Sequence, residues 1–138
     1  MTVLVYLAGA INGKTLEEAN GWRKKVTDIL ALYDIDVLNP LRGKEENKFY
    51  DYEPNEIVHR DLDDIKRSDV ILVEYMDKNR PYTGTDMEIV YARLWNKPVI
   101  VVTDWCNSYW LKYHATKICD SFVGACDYII NWYGRTKK

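Results

Sequence analysis

The sequence predicts an α/β domain: a five-stranded, mostly parallel sheet, doubly wound, with helices on both faces. Three observations carry that expectation. Residues 70–73 (VILV) and 98–103 (PVIVVT) are unbroken apolar runs rich in β-branched side chains, as strands covered on both faces require. Between such runs lie segments whose apolar residues recur at helical spacing. Strand-like and helix-like segments alternate along the whole chain, the pattern of successive right-handed crossovers.

The elements follow in order. Residues 2–7 read as a first strand, and Ala8-Gly9-Ala10-Ile11-Asn12-Gly13-Lys14 comes directly after it. Small residues and glycines at that place let backbone approach a ligand, so Gly9 is a candidate contact. The loop is not of the GxxxxGK[ST] kind, and a plain strand-to-helix turn is the simpler reading of it alone. Thr15 and Glu18 make a capping-box pattern, and Ala19, Trp22, Val26, Ile29, Leu30 and Tyr33 give the helix that follows one apolar face. Residues 35–38 form a short second strand, stopped by Asn39-Pro40. Residues 41–53 are polar and aperiodic, and read as a surface loop. In it Phe49, Tyr50 and Tyr52 either close on a planar ligand or anchor the loop to the core.

In the next helix Ile57, Asp61 and Ile65 lie four apart, which sets a carboxylate inside the apolar stripe. Strand 70–73 follows. Thr85-Asp86-Met87-Glu88 then opens a helix whose apolar positions include Met87, Val90, Tyr91 and Leu94, with Glu88 in the first turn. After strand 98–103, residues 105–114 read as a loop and short helix, and residues 117–119 as a brief edge strand. Ser121 caps a last helix with Phe122, Val123, Cys126, Ile129, Ile130 and Tyr133 on one face. The alternation gives a Rossmann- or flavodoxin-like order of elements. In such folds ligands bind beyond the carboxyl ends of the strands, where Glu88, Asp61, Asn39, Asp77 and Tyr6 are the candidates for the rim.

Composition narrows the partners. With 138 residues the chain suffices for one domain with a core and is short for two, so residues 1–138 are expected to form a single domain. A net charge of −2 gives no electrostatic case for nucleic acid or an anionic membrane, and the basic residues 135–138 read as a solvated end. No apolar run approaches the roughly 20 residues that span a bilayer, and the amino-terminal residues lack a signal-peptide pattern. Cys106, Cys119 and Cys126 have neither metal spacing nor an even count. Reduced thiols and a cytoplasmic protein are therefore expected. The carboxylates lack the clustered spacing of a metal site, and no cofactor is implied.

Two carboxylates carry the chemistry. Thr85 and Glu88 also satisfy a capping box, so Glu88 has a purely structural reading. Asp61 is harder to explain that way, because a carboxylate in an apolar stripe costs free energy unless a partner such as Arg60, Lys66 or Arg67 compensates it. A buried acid beside a second carboxylate titrates upwards and suits a proton donor. One nucleophile and one acid are what cleavage at a sugar anomeric carbon requires.

VYLAGAI (5–11), LNP (38–40), RDLDDIKRSDVILV (60–73), GTDMEIVYA (84–92), KPVIVV (97–102) and WLKYHATKICDS (110–121) together resemble the nucleoside 2-deoxyribosyltransferases and the related deoxynucleoside 5′-monophosphate N-glycosidases. The resemblance covers most of the chain and implies a doubly wound α/β fold. It implies that Glu88 is the nucleophile at C1′ of deoxyribose, that Asp61 binds and helps protonate the leaving base, and that Tyr6 orients Glu88. Gly84 matches the glycine where backbone meets the sugar. Tyr82 stands where the transferases carry aspartate and the monophosphate glycosidases serine, and Asp86, two residues before Glu88, either replaces that acid or simply favours the helix dipole. Ala10 and Asn12 stand where the glycosidases carry serine and arginine, with Lys14 and Thr15 close by to compensate. Asn107 and Ser108 match a loop that reaches into a neighbouring subunit's site, which implies a homo-oligomer with shared sites. The expected partners are a deoxynucleoside or nucleotide and a free nucleobase. His114 reads as a substrate contact or as a structural histidine. A nucleotide-binding protein without catalysis is the reading from another class.

Overall fold

The computed structural model describes residues 2–11, 13–43 and 53–134. Five strands, β1 (Leu4–Ala8), β2 (Asp36–Leu38), β3 (Val70–Glu74), β4 (Val99–Val102) and β5 (Lys117–Cys119), form one sheet in the order β2-β1-β3-β4-β5. Every adjacent pair is parallel, with Tyr6 opposite Leu38 on one side and Ile71 on the other. The helices α1 (Leu16–Ala31), α2 (Pro54–Arg67), α3 (Thr83–Leu94), α4 (Tyr109–His114) and α5 (Phe122–Trp132) make the crossovers.

Side-chain alternation along the strands divides the core into two layers. Val5, Leu7, Leu72 and Ile100 pack on α1 and α5 through Val26, Leu30, Cys126 and Ile129. Tyr6, Ala8, Ile71, Val73 and Val101 pack on α2, α3 and α4 through Ile65, Ile89, Ala92 and Leu111. The runs read as doubly covered strands are buried throughout β3 and β4.

The strand order fixes where a ligand can enter. From β1 the chain leaves through α1 towards β2, and from β3 it leaves through α3 towards β4. The two loops therefore diverge between adjacent strands and open a crevice at the carboxyl edge.

Local signals act as read at both ends of the chain. Glu18 N–H donates to Thr15 Oγ1 at 3.1 Å and Thr15 N–H to Glu18 Oε1 at 2.9 Å, a complete capping box. Ser121 accepts from Gly124 N–H at 3.0 Å. The start of α3 differs from expectation. Tyr82 is its N-cap, without a side-chain cap bond, and Asp86 N–H already donates to the Tyr82 carbonyl at 2.7 Å. Thr85 is buried inside the first turn, and Glu88 lies in the second turn, so a capping box does not account for Glu88. The buried stripe is Thr85, Ile89 and Ala92, small enough to seat α3 close on the sheet. Met87, Val90, Tyr91 and Leu94, the apolar positions read along this helix, stay 40–70% exposed. In α5, likewise, Ala125, Cys126 and Ile129 are buried, whereas Val123 is exposed.

Candidate active site

The crevice holds a cavity of about 560 Å³, bounded by the loop after β1 (Gly9 to Ile11), by α2, and by the start of α3. Tyr6 occupies its floor because β1 alternation turns it towards α2 and α3. Its hydroxyl donates to Glu88 Oε2 at 2.5 Å. Tyr6 is 1% exposed, whereas Glu88 is half-buried and lines the cavity. Burial, and then the charges of Glu88 and Asp61, hold the phenol of Tyr6 well above its ordinary range. It therefore keeps its proton and acts as a donor to the carboxylate.

Asp61 reaches the same cavity from α2, half-buried between Ile57 and Ile65. The basic residues near it in sequence serve other groups. Arg67 pairs with Asp63 at 3.4 Å and Asp64 at 2.7 Å, Arg60 donates to the Arg42 carbonyl at 3.1 Å, and Lys66 lies over the Trp95 ring. Asp64, one turn along, is the sealed carboxylate of this helix. Arg42 grips both its oxygens, at 2.6 and 2.9 Å, while Arg67 adds a third contact. Burial pushes the Asp64 carboxyl up, but those hydrogen bonds outweigh it and leave the group below its usual range.

Two glycines shape the walls. A Cβ on Gly84 would meet nothing within 4 Å, so that backbone is open to a ligand. A Cβ on Gly9 would lie 2.9 Å from the Trp22 ring and 3.0 Å from Glu74 Oε1, so only glycine lets the loop settle there. Tyr82 supplies an aromatic wall. Its hydroxyl donates to Glu74 Oε2 at 2.5 Å and accepts from Asp77 N–H at 2.9 Å, and its ring stacks on Tyr75 with centroids 4.1 Å apart.

Tyr6, Gly9, Asp61, Tyr82, Gly84 and Glu88 are thus brought together. The other candidates, Asp77 among them, do not line the cavity. Asn39 donates to Asn20 at 2.8 Å and its Oδ1 accepts from Leu41 N–H, holding the turn after β2. Asp86 accepts from the Tyr75 hydroxyl at 2.8 Å, outside the cavity. Ser108 caps α4, and Asn107 precedes it on the exposed surface. His114 Nδ1 is 2.7 Å from the Trp110 carbonyl and its ring stacks on Trp110, so its contacts are local to α4. Asn12, Phe49, Tyr50 and Tyr52, and the basic residues 135–138, lie outside the described residues. Among the described residues no group of His, Cys, Asp and Glu is placed to hold a metal ion, and no helix is long and apolar enough to cross a membrane.

Two buried polar residues escaped the sequence reading. Arg23 of α1 is 0% exposed and lines the cavity, with its guanidinium donating to the Leu7, Gly9 and Ala19 carbonyls. It sits in register with Ala19, Val26 and Leu30, so a charge in an apolar stripe, the signal that singled out Asp61, marks it too. Glu74 ends the apolar run of β3 and is 4% exposed. A charge closing a buried parallel strand at its carboxyl edge is the corresponding signal.

Comparison with known proteins accords with this geometry. No curated protein matches the chain by sequence. Solved structures with the same fold include the 2-deoxyribosyltransferase of Leishmania mexicana (TM-score 0.73, 17% identity, covering 95% of this chain and 99% of that one). The 2-deoxyribosyltransferase of Bacillus psychrosaccharolyticus is similar at TM-score 0.70 and 18% identity, over 91% and 92% of the two chains. The CMP N-glycosidase of Clostridium botulinum follows at 0.64 and 18%, over 94% and 99%. The family model for nucleoside 2-deoxyribosyltransferase matches residues 5–131, nearly the whole described domain, and by that match the chain belongs to the nucleoside 2-deoxyribosyltransferase family.

Proposed function

We propose that the protein exchanges the base of 2′-deoxynucleosides through a covalent deoxyribosyl–Glu88 intermediate. The observation that carries this reading is the 2.5 Å hydrogen bond from the buried Tyr6 hydroxyl to Glu88 inside a cavity that Asp61 also lines. The Glu88 carboxylate attacks C1′ as the bond to the base nitrogen breaks, and the base leaves with the bonding pair and a proton from Asp61. A second base then attacks C1′, returns a proton to Asp61 and frees Glu88. Tyr6 holds one carboxylate oxygen so that the other faces the sugar. Gly9 and Gly84 let backbone close on the substrate, and the Tyr82 ring offers it a rigid aromatic face.

The test is product analysis by chromatography and mass spectrometry with each deoxynucleoside and its 5′-monophosphate, with and without a second base. A new deoxynucleoside that forms only with the added base, and not with the Glu88→Ala variant, is the expected result. Turnover by that variant would end the mechanism. Tight binding of nucleotide without turnover over days would make the protein a non-catalytic binder instead.

A second reading, hydrolysis of a nucleoside 5′-monophosphate, is favoured by one observation. Lys14 and Arg80 stand 3.7 and 3.8 Å from Asp77, Arg80 next in chain to Pro81 of the cavity wall, and so gather two cations near the cavity. Free sugar phosphate formed regardless of added base would select it.

The proposed assembly is a homo-oligomer with shared sites. Met87 and Tyr91 line the cavity and are 59% and 40% exposed, and they continue into exposed Val90 and Leu94. A second copy on this face would cover the stripe and close the cavity. Light scattering is expected to give a dimer or larger species, and a monomer with full activity would remove the assembly from the mechanism.

A further inference from the structure

The transfer reaction assigns nothing to Arg23, yet this residue is the most deeply buried charge beside the cavity. It belongs to α1, across the sheet from Tyr6, and reaches round the end of β1 to the carbonyls of Leu7 (3.4 Å), Gly9 (3.2 Å) and Ala19. Its guanidinium also lies 4.6 Å from the centroid of the Trp22 ring. Among the described residues all three of its hydrogen bonds end on carbonyl dipoles, none on a carboxylate. A cation removed from water to this degree needs anions nearby to balance it.

Arg23 lines the same cavity as Tyr6 of β1, Asp61 of α2 and Glu88 of α3, and Glu74 of β3 also acts on it; Tyr6 keeps its proton, so the carboxylates supply the balancing charge. Arg42, beyond Asp61, is the other cation on that side. Burial draws the guanidinium down to about 10, against the pull of those groups, so it remains charged at neutral pH. The attraction is reciprocal, and a cation fixed there favours a negative charge on the carboxylate side of its cavity.

We propose that Arg23 is a positioning residue that keeps Glu88 in its ionised, nucleophilic form and clamps the Gly9 loop over the end of β1. The role rests on Glu88 being the nucleophile. It also fits the whole cycle. Ester formation removes the charge of Glu88, while donation of a proton to the base creates one on Asp61. The carboxylate charge facing Arg23 is therefore the same before and after the first half-reaction, and a fixed guanidinium serves both states without moving.

The experiment is the pH dependence of kcat/KM for base release in the full chain and in Arg23→Gln and Arg23→Lys. Losing the cation is expected to move the acid limb up by about one pH unit or more, whereas lysine leaves it near the native position. A folded Arg23→Gln with its acid limb in place, or equal shifts in both variants, overturns the proposal. Because both variants can lose the fold, the native protein provides a second readout. The carboxyl carbon of Glu88, followed by NMR and assigned by its loss in Glu88→Gln, is expected to titrate no higher than an ordinary glutamate despite burial. Titration above about pH 6 overturns the role. Activity of Glu88→Ala would instead sink the nucleophile itself. An inactive Glu88→Ala combined with an unmoved acid limb and high titration of Glu88 sinks only the assignment of Arg23.

Discussion

Among the described residues, two tyrosine–glutamate hydrogen bonds of equal length stand in different settings. Tyr6 donates to Glu88 and Tyr82 donates to Glu74, each at 2.5 Å. Glu74 is sealed beneath the Gly9 loop, 4% exposed. Its Oε2 also accepts from Met76 N–H, and its Oε1 has no hydrogen-bond partner among the described residues. Glu88 instead sits half-buried on the cavity wall with Asp61 opposite. A short bond from a buried phenol therefore does not make a carboxylate a nucleophile. Access to the cavity, together with a second acid on its wall, separates the proposed reactive pair from the buried one.

Substitutions on the two sides should diverge accordingly. The largest effect is expected for Glu88→Gln, which keeps an acceptor for Tyr6 but removes the proposed nucleophile. Steady-state assays should lose about a thousandfold or more in turnover, with an unchanged melting temperature. Asp61→Asn should cost about a hundredfold, and less for substrates whose base leaves without protonation, a contrast that identifies it as the acid. Glu74→Ala strands the Tyr82 hydroxyl and Met76 N–H, and denaturant unfolding should register a loss of about 2–3 kcal/mol. Tyr82→Phe removes the bond to Glu74 and the one accepted from Asp77 N–H, and should cost about 1–2 kcal/mol. An equal loss of turnover in the Glu74 and Glu88 variants would erase the distinction.

A pH titration of stability probes what the pairs share. The phenols of Tyr6 and Tyr82 are both raised, chiefly by burial and then by their glutamate neighbours. The folded state thus holds protons that the unfolded chain releases. Their contribution is fully present below pH about 10, the unfolded value, and is lost as pH rises through the folded values. Tyr6→Phe and Tyr82→Phe should each flatten that alkaline decline in urea midpoints.

The fold was legible because β3 and β4 are doubly buried and their sequences carry no competing pattern. The place of Asp61 at the cavity was legible because a lone acid interrupts an apolar stripe. Other features were hidden for physical reasons. The stripe of α3 misled because its largest apolar residues face the cavity and the surface, while Thr85, Ile89 and Ala92 make the close contact with the sheet. Thr85 imitated a cap because spacing alone cannot show that Tyr82 had already started the helix. Arg23 and Glu74 are buried charges whose partners come from distant segments, and only the folded chain brings those partners near.

The tight packing around Gly9 has a consequence for redesign. Its backbone is wedged between an indole ring and a carboxylate that are themselves immobilised, so the cavity floor admits almost no sequence variation. Thr83 and Met87 are exposed, so the opposite wall accepts larger or smaller side chains there without disturbing the core. A library aimed at the substrate pocket should leave residues 9 and 84 untouched and diversify positions 83 and 87. Selectivity can then be changed at one end of the substrate while the reacting carboxylate keeps its support.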